Sequence, residues 1–145
     1  MKKRGATFKS VDPIARLLRN TTLAADQQRD IGIAYHASLS AMANGHGTEQ
    51  AWCTLACAVN LTLILSENGY CAGAIPTIKL AQDGLMRARL RAANLGKWGL
   101  DGDALQALRS AVLIHDEQIS LATRLQVSEA LREVHKRVEE DQVLA

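Results

Sequence analysis

Two prolines in 145 residues leave long stretches of chain with nothing to interrupt a helix. Aromatic residues are sparse as well, at 3%. Runs of Val, Ile, Thr and aromatics of the strand type are scarce, and Ala, Leu, Gln, Glu and Arg dominate the long segments. That balance favours helix over sheet. It also removes the aromatic platforms on which single-stranded nucleic acid stacks. Cysteine occurs three times, as Cys53, Cys57 and Cys71, and an odd count does not suggest a disulfide framework. These residues are expected as small buried hydrophobes in a reducing cytoplasm. The longest apolar run, about Leu55 to Leu65, is interrupted by Asn60 and Thr62. A membrane span needs roughly 18 or more apolar residues, so the run is expected to be a buried core helix. Met1-Lys2-Lys3-Arg4 has the charge that opens a signal peptide, but Gly5 to Asp12 is mostly polar where an apolar stretch should follow. The expectation is a cytoplasmic protein without membrane contact.

Hydrophobic residues make up 48% of the chain and charged residues 22%. A core of that size and an average charge content exclude global disorder. The length suits a single domain. Residues 1–11 read as a flexible basic tail, and 12–145 as one all-α domain, a bundle of five to six helices.

Helix boundaries follow from caps and glycines. Asp12-Pro13 opens a short helix from Pro13 to Arg19, since Asp caps and Pro fits the first helical position. A second helix runs from about Ala24 to Ala43, with Thr22 as candidate cap and Ile31, Ala34, Tyr35, Ser38 and Met42 on its apolar face. Asn44-Gly45-His46-Gly47 ends it. Thr48 caps a third helix reaching about Asn68, apolar nearly all round and therefore central. A fourth begins near Ile75-Pro76 and ends at Gly96, its buried stripe running from Ile78 through Ala81, Leu85, Ala88 and Ala92 to Leu95. Asp101-Gly102-Asp103 opens a fifth with negative charge at its positive end. Thr123 with Gln126 forms a capping box, which predicts a break near residue 122. The last helix carries Val127, Leu131, Val134 and Val138 as a narrow seam of coiled-coil character. Short loops imply antiparallel neighbours.

The net charge of +2 is unevenly spread. Residues 1–19 carry six Lys or Arg against one acid, residues 79–97 five against one, and residues 101–145 five against nine. Arg87 and Arg91 lie one turn apart, with Asp83 one turn before Arg87 as an expected ion-pair partner. Arg89 falls nearer the apolar stripe. Arg87, Arg89, Arg91, Lys97 and Trp98 are the candidate partner-binding residues. The guanidinium fork suits carboxylate or phosphate, and Trp98 serves either as a pin between helices or as an exposed anchor.

Enzyme signatures are missing. There is no G-x-G-x-x-G, P-loop, G-x-S-x-G or C-x-x-C. His115-Asp116 is the dipeptide that helical phosphohydrolases of the HD type use as metal ligands, and His36, His46 and Asp141 are the residues that would complete such a set. The competing reading places His115 in the apolar stripe as a satisfied histidine, with Asp116 and Glu117 facing solvent. Cys53, Cys57 and a histidine are a second conceivable metal set, because thiolate and imidazole suit zinc. Neither a cofactor nor a resident metal is expected.

The stretches Asp30-Ile31-Gly32-Ile33-Ala34-Tyr35, Gly47-Thr48-Glu49-Gln50-Ala51-Trp52 and Gly96-Lys97-Trp98-Gly99-Leu100-Asp101-Gly102-Asp103, with the ending Glu133-Val134-His135-Lys136-Arg137-Val138-Glu139, resemble small uncharacterised helical proteins of proteobacteria and their mobile elements, prophages included. The resemblance covers most of the chain from about residue 24. It implies a bacterial or phage setting and assigns no activity or site. The expected function is a non-enzymatic helical interaction or regulatory protein, a host-defence or regulatory inhibitor among the forms it could take. Its partner would be a protein or a second copy. The alternatives are a DNA-binding transcriptional regulator and a metal-dependent hydrolase using His115 and Asp116.

Overall fold

A computed structural model describes residues 20–144, which form five α-helices joined by short turns. The readings made for residues 1–11 and for Pro13–Arg19 lie outside the described residues. The helices are α1 (Ala25–Ala43), α2 (Glu49–Glu67), α3 (Ile75–Leu95), α4 (Gly102–Leu121) and α5 (Arg124–Glu139), with a 3₁₀ turn at Ala72–Ala74 before α3. No strand occurs among the described residues; Thr22 and Thr123 form one isolated antiparallel bridge.

The ends of the helices follow the local chemistry. The Thr48 hydroxyl accepts from the Ala51 amide at 3.1 Å. The Asp101 carboxylate accepts from the Ala104 amide at 2.7 Å. Thr123 and Gln126 exchange bonds, the hydroxyl accepting from the Gln126 amide at 3.2 Å and the side-chain carbonyl accepting from the Thr123 amide at 2.9 Å. With Ala122 extended at φ −72°, ψ 142°, α4 and α5 are separate helices, as that capping box requires. Gly96 closes α3 in the left-handed conformation, φ 67°, which only a residue without Cβ adopts freely. The start of α1 differs from expectation. Ala24, not Thr22, is its cap residue, and its amide is served by the Gln27 side chain at 3.3 Å. Thr22 is drawn instead into the bridge with Thr123.

Helix α2 is the centre of the fold. Thirteen of its 19 residues are buried, and it packs against all four other helices. One core cluster surrounds its first half, where Trp52, Leu55 and Val59 meet Tyr35 and Met42 of α1, Ile78 and Leu85 of α3, and Leu108 and Val112 of α4. A second surrounds its last turns, where Leu61, Ile64 and Leu65 meet Ile119 of α4 and Ala130 and Val134 of α5. Each such buried Leu, Ile or Val contributes about 1.5–3 kcal/mol. The seam of α5 thus packs inside the domain: Val134 is buried, and Val127, Leu131 and Val138 are half-buried against the second cluster.

Five expected core positions are open instead. Ile31 and Ala34 are exposed because α1 turns Gly32, Tyr35, Leu39 and Met42 inward, with Gly32 and Tyr35 meeting Asp116 of α4. Cys53 and Cys57 are exposed, on the flank of α2 that lies in an open groove between α1 and α5. Leu95 is 70% exposed, because the buried stripe of α3 ends at Ala92 as the chain turns away at Gly96.

Helices α3 and α4 approach closely at Gly84. A Cβ there would lie 2.6 Å from the Ala104 Cβ and 2.9 Å from the Ala104 Cα, with no flexible side chain to yield. At a freely exposed helical site Gly→Ala stabilises by up to about 1 kcal/mol. Here the sign is expected to reverse. Gly84→Ala should lower stability by about 1–3 kcal/mol through overpacking, read as a lower urea midpoint, whereas an unchanged or raised midpoint would show that the two helices do not approach this closely.

Candidate functional site

The five candidate residues on and after α3 fall into three groups. Arg87 is held by Asp101 in a bidentate pair, Nε to Oδ2 at 2.8 Å and a terminal nitrogen to Oδ1 at 3.1 Å. This replaces the Asp83–Arg87 pair expected from helical spacing; the planar fork meets both carboxylate oxygens across the α3–α4 turn, which an i, i+4 neighbour offers less readily. The guanidinium and the Ala104 amide together hold the Asp101 carboxyl down at about 2. Arg89 lies over the Trp52 ring, 5.4 Å from its centroid. Trp98 stands beside the same ring, centroids 5.9 Å apart, half-buried against the first cluster. It therefore pins the connector between α3 and α4 onto α2. The connector also crosses the α1–α2 turn at very short range, since a Cβ on Gly47 would fall 2.1 Å from the Trp98 carbonyl oxygen. Arg91 and Lys97 remain as exposed cations.

Around these charges α3 exposes large apolar side chains. Leu80 is 61% exposed, Met86 41%, Leu90 58% and Leu95 70%. Met86 and Leu90, one turn apart, occupy the middle of the outward face with Lys79 and Asp83. Leu80, Arg87 and Arg91 follow one another along its flank at helical spacing. The outward surface of α3 thus sets Met86, Leu90 and Leu80 among three basic residues and one acidic one, which sequence charge counting alone did not reveal.

A second constellation joins α1, α2 and α4. The Tyr35 hydroxyl donates to Asp116 Oδ1 at 2.5 Å, and His36 Nε2 lies 2.7 Å from Asp116 Oδ2. A carboxylate only accepts, so His36 donates through Nε2. Asp116 is therefore half-buried and doubly bonded rather than free in solvent, while Glu117 is exposed. Burial, followed by the bond to Asp116, raises the Tyr35 phenol above its usual range. His115 points the other way. Its Nδ1 lies 2.8 Å from Thr62 Oγ1, and its ring meets that of Tyr35 edge-on at 4.9 Å. Thr62 gives its one hydroxyl proton to the Ala58 carbonyl at 2.7 Å, which leaves the oxygen to accept from His115. Burial pushes the His115 imidazole down to about 4.

His115 and Asp116, adjacent in sequence and about 100° apart round α4, take different partners, His115 turning to Thr62 of α2 and Asp116 to Tyr35 and His36 of α1. No group of three His, Cys, Asp or Glu side chains able to hold a metal occurs among the described residues. The contacts of Asp116 with Tyr35 and His36 join residues 81 and 80 positions apart, so helical periodicity gave no sign of them.

No family model, curated protein or solved structure matches the chain.

The buried imidazole makes stability pH-dependent. Its ordinary value is 6.5 and its folded value about 4, so between those limits the unfolded chain binds a proton that the native state refuses. Stability is then complete above pH 6.5 and falls as the pH drops towards 4, by on the order of 3 kcal/mol. Asp101 acts in a separate window, between 3.8 and about 2. Urea midpoints measured from pH 7 to 4 should fall steeply in the parent and much less in His115→Gln; equal slopes would remove His115 as the cause.

Proposed function

We propose that this chain is a non-enzymatic interaction protein that binds another protein through the outward face of α3. The observation that carries the reading is the exposure of Met86 and Leu90 in the middle of that face, with Leu80 on its flank, beside the exposed cations Lys79 and Arg91. Burying one such side chain contributes about 1.5–3 kcal/mol, and desolvated clusters of this kind are what binding interfaces are built on. The basic edge suits an amphipathic partner helix with acidic flanks. Nucleic acid is the weaker reading, since Arg87 is engaged by Asp101 and Arg89 lies over Trp52. A homodimer made by setting the basic face of one copy on the acidic C-terminal half of another would be head-to-tail, and such contacts form rings or run on as filaments; a different protein satisfies the same surface with a closed one-to-one complex. A regulator or inhibitor that acts by occupying a partner fits this surface, and no catalytic step is needed.

Capture with the tagged full chain from a lysate of its native host, after nuclease treatment, tests this. The parent should retain a defined protein that Leu90→Asp/Arg91→Glu retains at least about tenfold less well. Retention unchanged by the double substitution, or loss of every partner on nuclease treatment, would overturn it. Sedimentation of the purified chain separately reports self-association.

A further inference from the structure

Between Ala51 and Ser66, helix α2 exposes two residues, and both are cysteine. Every other position in that stretch is buried except half-buried Thr54, whose hydroxyl donates to the Gln50 carbonyl at 3.0 Å. Cys53 and Cys57 are four residues apart, one turn above the other on a single face. Both line an apolar groove of about 530 Å³. Ile31 and Ala34 of α1 also line it, as do Val127 and Leu131 of α5, and no residue of α3 takes part. The groove is therefore separate from the face proposed for the protein partner.

Geometry decides what the two thiols can do. Residues i and i+4 of a helix hold their Cβ atoms about 5–6 Å apart, whereas a disulfide needs about 3.5–4.5 Å. Oxidation to an intrahelical disulfide would have to distort α2, which all four other helices hold. A single atom between the sulfurs meets no such obstacle. Bonds of zinc–thiolate length, about 2.3 Å each, let the two sulfurs stand up to about 4.6 Å apart. Among the described residues no third His, Cys, Asp or Glu joins the pair, so a four-coordinate zinc ion lacks its remaining ligands. The apolar lining also disfavours a complex with net charge, and its atoms already raise the Cys57 thiol above its usual value. Two thiolates exactly neutralise a soft centre of charge two, whereas a monovalent ion between them would leave a negative complex in the groove.

We propose that Cys53 and Cys57 are a dithiol binding site for trivalent arsenic carrying one organic substituent, with the substituent lying in the groove. In the reaction with an arsenoxide, two As–S bonds form and both S–H bonds break. The oxygen leaves as water with the two thiol protons. Arsenic stays trivalent, and no oxidant or reductant is consumed.

The probe is phenylarsine oxide, added to the full chain kept reduced by a phosphine. Retention against excess glutathione, a competing monothiol, is read by native mass spectrometry. The parent should hold one phenylarsenic group per chain. Cys71→Ser, whose half-buried thiol does not line the groove, should hold it equally well. Cys53→Ser and Cys57→Ser, both at exposed positions, should each retain it at least about tenfold less well, and so should the parent denatured in urea. Undiminished retention in either variant or in urea would overturn the proposal, as would a phenylarsenic group bridging two chains or its displacement by equimolar Zn²⁺. The part played by the groove is read by competition. The folded chain should prefer the phenyl over the methyl arsenoxide more strongly than dithiothreitol does in free solution, and an equal preference would overturn it.

Discussion

The helix that every other helix touches carries three polar side chains in its buried half, and the fold depends on satisfying them. Asn60, Thr62 and Ser66 are all essentially without solvent contact. Leaving such groups unpaired costs about 1–3 kcal/mol each. Asn60 donates to the Leu144 carbonyl at 2.6 Å and accepts from Gln82 of α3 at 3.1 Å. Thr62 meets His115 of α4. The Ser66 hydroxyl receives the Gln118 amide at 2.8 Å, and the same amide nitrogen reaches the carbonyls of Thr62 and Tyr70. Apolar contact alone would let a helix this greasy rotate or slide among its neighbours. Polar pairs of fixed length select one rotation and one height.

The same logic separates what the sequence revealed from what it did not. The caps at Thr48, Asp101 and Thr123 were legible because a cap is a contact within three residues, and the break at Ala122 followed from one of them. The central place of Glu49–Glu67 was legible because an all-round apolar surface needs neighbours on all sides. The rotation of α1 was not. Ile31 and Ala34 are as apolar as the residues that are buried, and what decides between the faces is Tyr35 reaching Asp116, a contact with a residue 81 positions away. The cysteines failed for the same reason. Their helical face was identifiable, but whether another helix lay over it was a matter of tertiary arrangement.

The candidate interaction residues were only partly legible. Charge counting singled out residues 79–97, and the charged residues of that segment are all exposed, on α3 and just beyond its end. It did not separate cations that hold the fold together from cations left on the surface. Asp101 both caps α4 and engages Arg87, and Trp52 lies against both Arg89 and Trp98, so three of the five residues turn towards the domain. Nor did the pattern show that Met86 and Leu90 face outward, since leucines in an amphipathic helix are ordinarily read as core. The bland reading of His115 as a satisfied core histidine matches its place against Thr62.

The two core clusters are not two independent cores. They share α2, the first occupying it through Leu63 and the second beginning at Leu61, so their residues overlap within a single turn. Loosening either end frees the common helix and withdraws a wall from the other cluster. The Arg137–Glu67 pair and the Asn60–Leu144 bond tie sequence-distant elements to that same helix. A molecule organised in this way has no half able to melt while the other persists. Its helices exchange their amide protons from one shared opening rather than from separate ones, and partial unfolding is confined to the ends of the helices.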